Sequence, residues 1–126
     1  MSQGPLIGAA RKALAHAYPP YSKFRVGAAL ETKDGKIYLG ANVENSSLGL
    51  TVCAERAAIC AAVTAGDREF SRIAIVTSRG TAVAPCGACR QVLAEFCSDL
   101  EILLVARKRT RKMELAELLP RSFRLR

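Results

Sequence analysis

The chain has 126 residues, half of them hydrophobic, and a net charge of +8. That length fits a single domain, residues 1–126, able to bury a core without disulfide staples. No apolar run reaches the roughly 20 residues of a membrane-spanning helix, and five cysteines, an odd count, argue against a secreted disulfide framework.

The opening stretch MSQGPLIGAARKALAHA lacks the basic start and unbroken apolar block of a secretory signal, so a soluble, cytoplasmic protein is expected. A helix is predicted from Pro5 to His16, with Leu6, Ala9, Ala10, Ala13, Leu14 and Ala17 at helical spacing. Tyr18-Pro19-Pro20-Tyr21 ends it. Two strands follow, Phe24 to Thr32 and Lys36 to Val43, joined by the hairpin signal Asp34-Gly35. Cys53 to Thr64 reads as a buried helix stopped by Gly66, and Arg72 to Thr77 as a buried strand. Gly87 to Phe96 is a second such helix, Leu100 to Ala106 another buried strand, and Met113 to Leu118 a short helix before Pro120. A hairpin followed by βα crossovers implies an α/β fold with a mixed sheet between helices.

Residues 107–126 hold eight Lys or Arg against Glu114 and Glu117, +6 of the chain's +8. No aromatic residue interleaves with RKRTRK as a base-stacking surface wants. The segment therefore reads as a solvated basic end rather than a nucleic-acid-binding one. His16, the lone histidine, falls at a helix end far from every cysteine and is given no catalytic role.

Two segments carry the chemistry: Cys53-Ala54-Glu55-Arg56 and Pro85-Cys86-Gly87-Ala88-Cys89-Arg90-Gln91. Each opens a predicted helix. Cys86 and Cys89 alone fit a redox pair or half of a structural zinc site, but a redox pair leaves Cys53 unexplained. A structural zinc site wants four protein ligands. Cys60 lies two helical turns beyond Cys53, roughly 10 Å along the axis, and Cys97 sits at the far end of its helix from Cys89. Both are expected to be buried, unligated thiols. Three thiolates with an open fourth position describe a catalytic zinc, whose bound water the metal acidifies. Three thiolates also leave the site formally negative. The two helix N-termini offset that charge, and Arg56, three residues after Cys53, is expected to hydrogen-bond a ligand sulfur. Glu55 stands in an otherwise apolar helix two residues after a ligand, within reach of that water, and is expected to carry protons.

The pattern C-x-E … P-C-x-x-C resembles the zinc-dependent nucleoside deaminases, with cysteine in place of the first histidine. The blocks Pro20-Tyr21-Ser22-Lys23-Phe24-x-Val26-Gly27-Ala28-Ala29, Asn42-Val43-Glu44-Asn45 and Glu117-Leu118-Leu119-Pro120-x-x-Phe123 are similar to the small homotetrameric cytidine deaminases of three-cysteine type. The resemblance implies a three-layer α/β/α sandwich around a mixed five-stranded sheet. It also implies one Zn²⁺ per subunit on Cys53, Cys86 and Cys89, with Glu55 moving protons during attack on C4 of cytosine. The backbone around Ala54 and Pro85 would hold the base, Phe24 would stack near it, and Asn42-Val43-Glu44 would hold the ribose. Phe123 would reach a neighbouring subunit's site, so the active sites of the tetramer would be shared. The implied reaction turns cytidine and deoxycytidine into uridine and deoxyuridine with release of ammonia, in pyrimidine salvage. Leu48 stands where many relatives have an aromatic residue, and the chain closes on Arg124-Leu125-Arg126 without their acidic extension. Deamination of another cytosine nucleoside of the blasticidin kind, RNA binding or editing through the basic segment, and a purely structural zinc module are the competing readings.

Overall fold

A computed structural model describes residues 3–125. Arg126, one of the eight basic residues of the C-terminal segment, and Met1 and Ser2 of the opening stretch lie outside them. The elements in chain order are α1 (Gly4–Leu14), β1 (Val26–Thr32), β2 (Ile37–Ala41), α2 (Ala54–Thr64), β3 (Phe70–Thr77), α3 (Gly87–Phe96), β4 (Glu101–Val105), β5 (Thr110–Glu114) and α4 (Leu115–Leu118). The strands form one mixed sheet in the order β2-β1-β3-β4-β5, in which the neighbours β3 and β4 pair in parallel and the other neighbours pair antiparallel. The hairpin turn falls at Asp34-Gly35 as predicted. Gly35 adopts φ 93°, the Thr32 hydroxyl bonds Asp34, and the Gly35 N–H donates to Thr32 O at 3.1 Å.

Alternation along the central strands sorts the core into two layers. Ala28, Leu30, Ile73, Ile75, Ile102 and Leu104 point to one face and pack with Ala54, Ala58, Ile59 and Ala62 of α2 and Leu93 and Ala94 of α3. Ala29, Ala74, Val76, Leu103 and Val105 point to the other and pack with Leu6 and Ala10 of α1. A two-residue period on buried strands therefore produces the expected three-layer α/β/α sandwich. No helix among the described residues is long and apolar enough to cross a membrane.

Three expectations are corrected. The basic segment is not simply a solvated end: Thr110–Glu114 forms β5, antiparallel to β4, with Lys112 paired to Glu101 at 3.2 Å. Backbone pairing with β4 and packing of Met113 against the core hold it there, and the exposed Arg111 and Lys112 suit an edge strand, where charge discourages pairing with other chains. The last helix consequently begins at Leu115 rather than Met113, started by a reciprocal capping box between Glu114 and Glu117. Cys60 is exposed rather than buried. The inward stripe of α2 is Ala54, Glu55, Ala58, Ile59 and Ala62, and Cys60 falls on the opposite side of the helix. Cys97 is buried as expected.

Two glycines let helices approach the sheet without intervening side chains. A Cβ on Gly27 would lie 2.3 Å from Ala10 O and 2.5 Å from Leu14 N of α1. A Cβ on Gly40 would lie 2.2 Å from Ala54 O and 2.4 Å from Ala58 N of α2. Gly40→Ala must therefore push away the first turn of α2. The expected loss of stability is roughly 1–3 kcal/mol, the usual range for overpacking, together with weaker metal retention. Thermal unfolding and metal analysis of the variant check this; an unchanged melting temperature would show that α2 yields freely.

Across β1 and β3, Glu31 and Arg72 are paired in register. Arg72 Nε donates to Glu31 Oε1 at 2.6 Å, with the Arg72 and Glu31 side chains only 9% and 11% exposed. The hydrogen bond from Arg72 holds the Glu31 carboxyl below the ordinary carboxylate range, against a smaller opposing push from burial. A lowered carboxyl pKa contributes stability above the unfolded-state value and loses it as pH falls through the folded-state value. The stability gap between the native chain and Glu31→Gln is expected to be constant near neutrality and to shrink on acidification below about pH 4. Denaturant midpoints measured from pH 7 downward test the sign: a gap that widens on acidification contradicts it.

Candidate active site

The start of α2 and the start of α3 meet. Cys53 is the N-cap of α2, and Cys86 the N-cap of α3 with Cys89 three residues on. N-cap and third helical position share one side of a first turn, so both α3 sulfurs face the start of α2. The Sγ atoms of Cys53, Cys86 and Cys89 lie within 4.8 Å of one another, and Cys86 and Cys89 are 3.4 Å apart. Tetrahedral ligation with zinc–sulfur bonds of about 2.3 Å spaces sulfurs about 3.8 Å apart, so the three thiols fit one zinc ion. Among the described residues no fourth His, Cys, Asp or Glu joins the group. This is the donor set of an open site.

Arg56 and Glu55 border the sulfurs. Arg56 Nη2 donates to Cys53 Sγ at 3.4 Å and to Thr51 O at 3.2 Å. The contact expected between Arg56 and a candidate ligand sulfur is present. Hydrogen bonding from Cys89, and then the Arg56 guanidinium, bring the Cys53 thiol down to about 5. Hydrogen bonding to Cys53, and then burial, push the Cys89 thiol up. Glu55 is 6% exposed in the stripe of α2 that faces the sheet. Burial raises its carboxyl, and the charge of Cys53 adds to the effect; its own backbone N–H and Arg56 pull the other way.

Residues 42–44 lie beside this cluster because Val43 and Val52 form an antiparallel bridge, with N–H···O distances of 3.0 and 2.9 Å. Cys53 follows directly. Asn42 is 7% exposed; its Oδ1 accepts from Val26 N and its Nδ2 donates to Phe24 O, both at 2.8 Å. That leaves one donor and one acceptor site on the amide. Glu44 accepts from Tyr21 N at 2.9 Å, Ser22 N at 3.1 Å and the Ser22 hydroxyl, which together hold its carboxyl low. The half-buried Phe24 follows Lys23, a non-glycine residue at φ 61° that turns the loop. Ala54 and Pro85 are buried, and Pro85 O accepts from Arg90 Nε at 2.9 Å. Phe123 stands apart: it is 66% exposed, with its carbonyl taking a 3.0 Å bond from Gln91 Nε2.

The sequence reading missed three supports. Ser22 and Tyr21 fasten the Glu44 carboxylate. Gly40 seats α2, and its signal, an isolated glycine in a strand, was present. Arg79, on the loop after β3, places its guanidinium 4.6 Å from the centre of the Phe24 ring.

A mixed five-stranded sheet with C-x-E and P-C-x-x-C at two abutting helix starts is the framework of a zinc-dependent base deaminase. The family described as "Cytidine and deoxycytidylate deaminase zinc-binding region" matches residues 3–104, and the chain belongs to it. The cytidine deaminase of Sporosarcina psychrophila is 48% identical over 120 residues, covering 94% of this chain and 88% of that one. That of Halalkalibacterium halodurans is 46% identical, covering 98% and 95%. The crystal structure of cytidine deaminase from Burkholderia pseudomallei superimposes with a TM-score of 0.93 at 48% identity, covering 98% of this chain and all of that one.

Proposed function

We propose that this chain is an enzyme that hydrolyses the exocyclic amine of cytidine and deoxycytidine, giving uridine or deoxyuridine and ammonia. On this reading it works in pyrimidine salvage as a cytoplasmic, single-domain protein, assembled as a homotetramer with one zinc per subunit. The observation that carries the reading is the meeting of three cysteine sulfurs with a buried glutamate beside them and no fourth ligand among the described residues. Four protein ligands would leave no room for water and mark a structural site.

When bound on Cys53, Cys86 and Cys89, zinc supplies the Lewis acidity that makes a water nucleophilic near neutral pH. The chain's own residues do the rest. Glu55 takes the proton of the water that adds to C4 and passes it to N3 of the base. It then takes the remaining proton from the hydroxyl added at C4 and delivers it to the amine as the C4–N bond breaks and the C4 carbonyl forms, so that water and cytidine become uridine and ammonia. Arg56 draws charge from the Cys53 sulfur, which offsets the electron donation of three thiolates. The Ala54 N–H at the start of α2, and the second lone pair of the Pro85 carbonyl, suit the polar edge of a pyrimidine. Phe24 supplies an apolar wall. Asn42 offers its remaining donor and acceptor, and Glu44 its remaining lone pairs, to the sugar hydroxyls. Exposed Leu48, Leu50, Val52 and Phe123, at 70%, 65%, 39% and 66%, give apolar surface that association with further copies would cover.

Incubating zinc-loaded protein with cytidine and following uridine and ammonia tests the reading, with deoxycytidine and a blasticidin-type nucleoside in parallel. Turnover of the first two is expected. A sample inert toward all three would overturn the reading, and preference for the third would replace the substrate.

A further inference from the structure

Where the parallel strands β3 and β4 end side by side, three chain segments converge. Arg11 comes from the last turn of α1, Arg79 from the loop after β3, and Arg107, Lys108 and Arg109 from the turn between β4 and β5. Together they line two adjoining hollows that share Gly80, Ala106 and Arg107. Neither hollow is lined by a carboxylate or an aromatic ring. The ion pairs among the described residues engage Lys36, Arg72 and Lys112, and none of these five cations.

The cleft is built rather than a scatter of solvated charge. The Arg107 N–H donates to Gly80 O at 2.8 Å. Its side chain lies across the same glycine: a Cβ on Gly80 would stand 3.1 Å from Arg107 Nε and 3.2 Å from Nη2. Arg79 is likewise directed, stacked on Phe24 at 4.6 Å. Two guanidinium groups are thus oriented before any ligand arrives, and neighbouring cations repel one another until an anion joins them.

We propose that this cleft binds a small ligand carrying two or more linked phosphates, such as the phosphate chain of a nucleoside triphosphate. Arginine forks match phosphate oxygens in geometry as well as charge. One hollow encloses about 370 Å³, within the roughly 300–1,000 Å³ of small-molecule sites. A lining without aromatic rings offers no platform for a run of bases, which favours a phosphate chain over a polynucleotide. None of Cys53, Cys86 and Cys89 lines either hollow, and binding there is read out without cytidine turnover.

Calorimetric titration of the full-length, zinc-loaded protein tests this, using inorganic triphosphate and a nucleoside triphosphate at about 0.15 M salt, where long-range attraction is screened. Both are expected to bind. Equal affinities would show that the phosphate chain alone is recognised, and a tighter nucleoside triphosphate that the nucleoside adds contacts; each supports the site. Arg109→Gln should weaken both by roughly tenfold, and Arg11→Gln with Arg107→Gln by roughly a hundredfold, at about tenfold per charged hydrogen-bonding group. Lys33→Gln with Arg68→Gln removes the same charge from a cleft also lined by Asp34, Asp67 and Glu69, and should change nothing. No binding of either compound, an equal loss in that control, or tighter binding of a single-stranded oligonucleotide than of triphosphate would each overturn the proposal.

Discussion

Glu55→Gln is expected to retain a full complement of zinc and to lose at least about 100-fold in turnover of cytidine, the scale on which a lost general acid/base is felt. The amide has the size of the carboxyl and fits the same buried stripe of α2, where Glu55 is 6% exposed. It cannot accept a proton from water and return it. Glu55 is also absent from the group of candidate metal ligands, so metal content should be untouched. Burial even favours the neutral amide, because the native carboxylate is held against desolvation. The variant should therefore be at least as stable as the native chain. Metal analysis, thermal unfolding and steady-state kinetics on one preparation separate the outcomes. Full turnover would remove Glu55 from the proposed mechanism, and loss of zinc would make it a ligand or a prop for the ligands.

Cys89→Ala carries the other large effect. Its sulfur is fully buried between the starts of α2 and α3, with Cys53 and Cys86 around it. Removing it leaves two donors, and affinity should fall by more than the roughly 10–100-fold that changes beside a metal ligand cause. Turnover should fall in step with metal content, and the melting temperature should drop because zinc binding stabilises only the folded arrangement. Cys60→Ser is the matched control: that thiol lies on the exposed side of α2, and metal content, activity and melting temperature should not change. A Cys89→Ala protein that keeps its zinc would overturn the three-thiolate site.

The candidate site was legible where chemistry and periodicity agree. Cys53, Cys86 and Cys89 each fall at a helix start, and a cysteine trio lacking only a fourth ligand reads as an open zinc site from the sequence alone. Strands β3 and β4 were legible because buried parallel strands are continuous apolar runs. Strand β5 was not, since Thr110–Glu114 is mostly polar, with Met113 its one apolar residue, and its backbone pairing with β4 leaves no mark on side-chain hydropathy. Cys60 was misplaced because a helix as apolar as α2 hides which side faces the sheet. Glu44 could be recognised as a carboxylate near the site, but not that Tyr21 and Ser22, more than twenty residues earlier, already occupy much of its hydrogen-bonding capacity.

Gly27 and Gly40 have a consequence for how firmly the catalytic helix is placed. They sit in adjacent registers of the β1–β2 pair, where Gly27 faces Ala41 and Gly40 faces Ala28. One receives the backbone of α1 and the other the backbone of α2. At this end of the sandwich, main chain rests on main chain through both layers. Main chain has no rotamers to exchange, so the wall behind Cys53 and Glu55 behaves as a datum surface, against which side chains elsewhere in the core can change size without carrying the proton-bearing carboxyl with them.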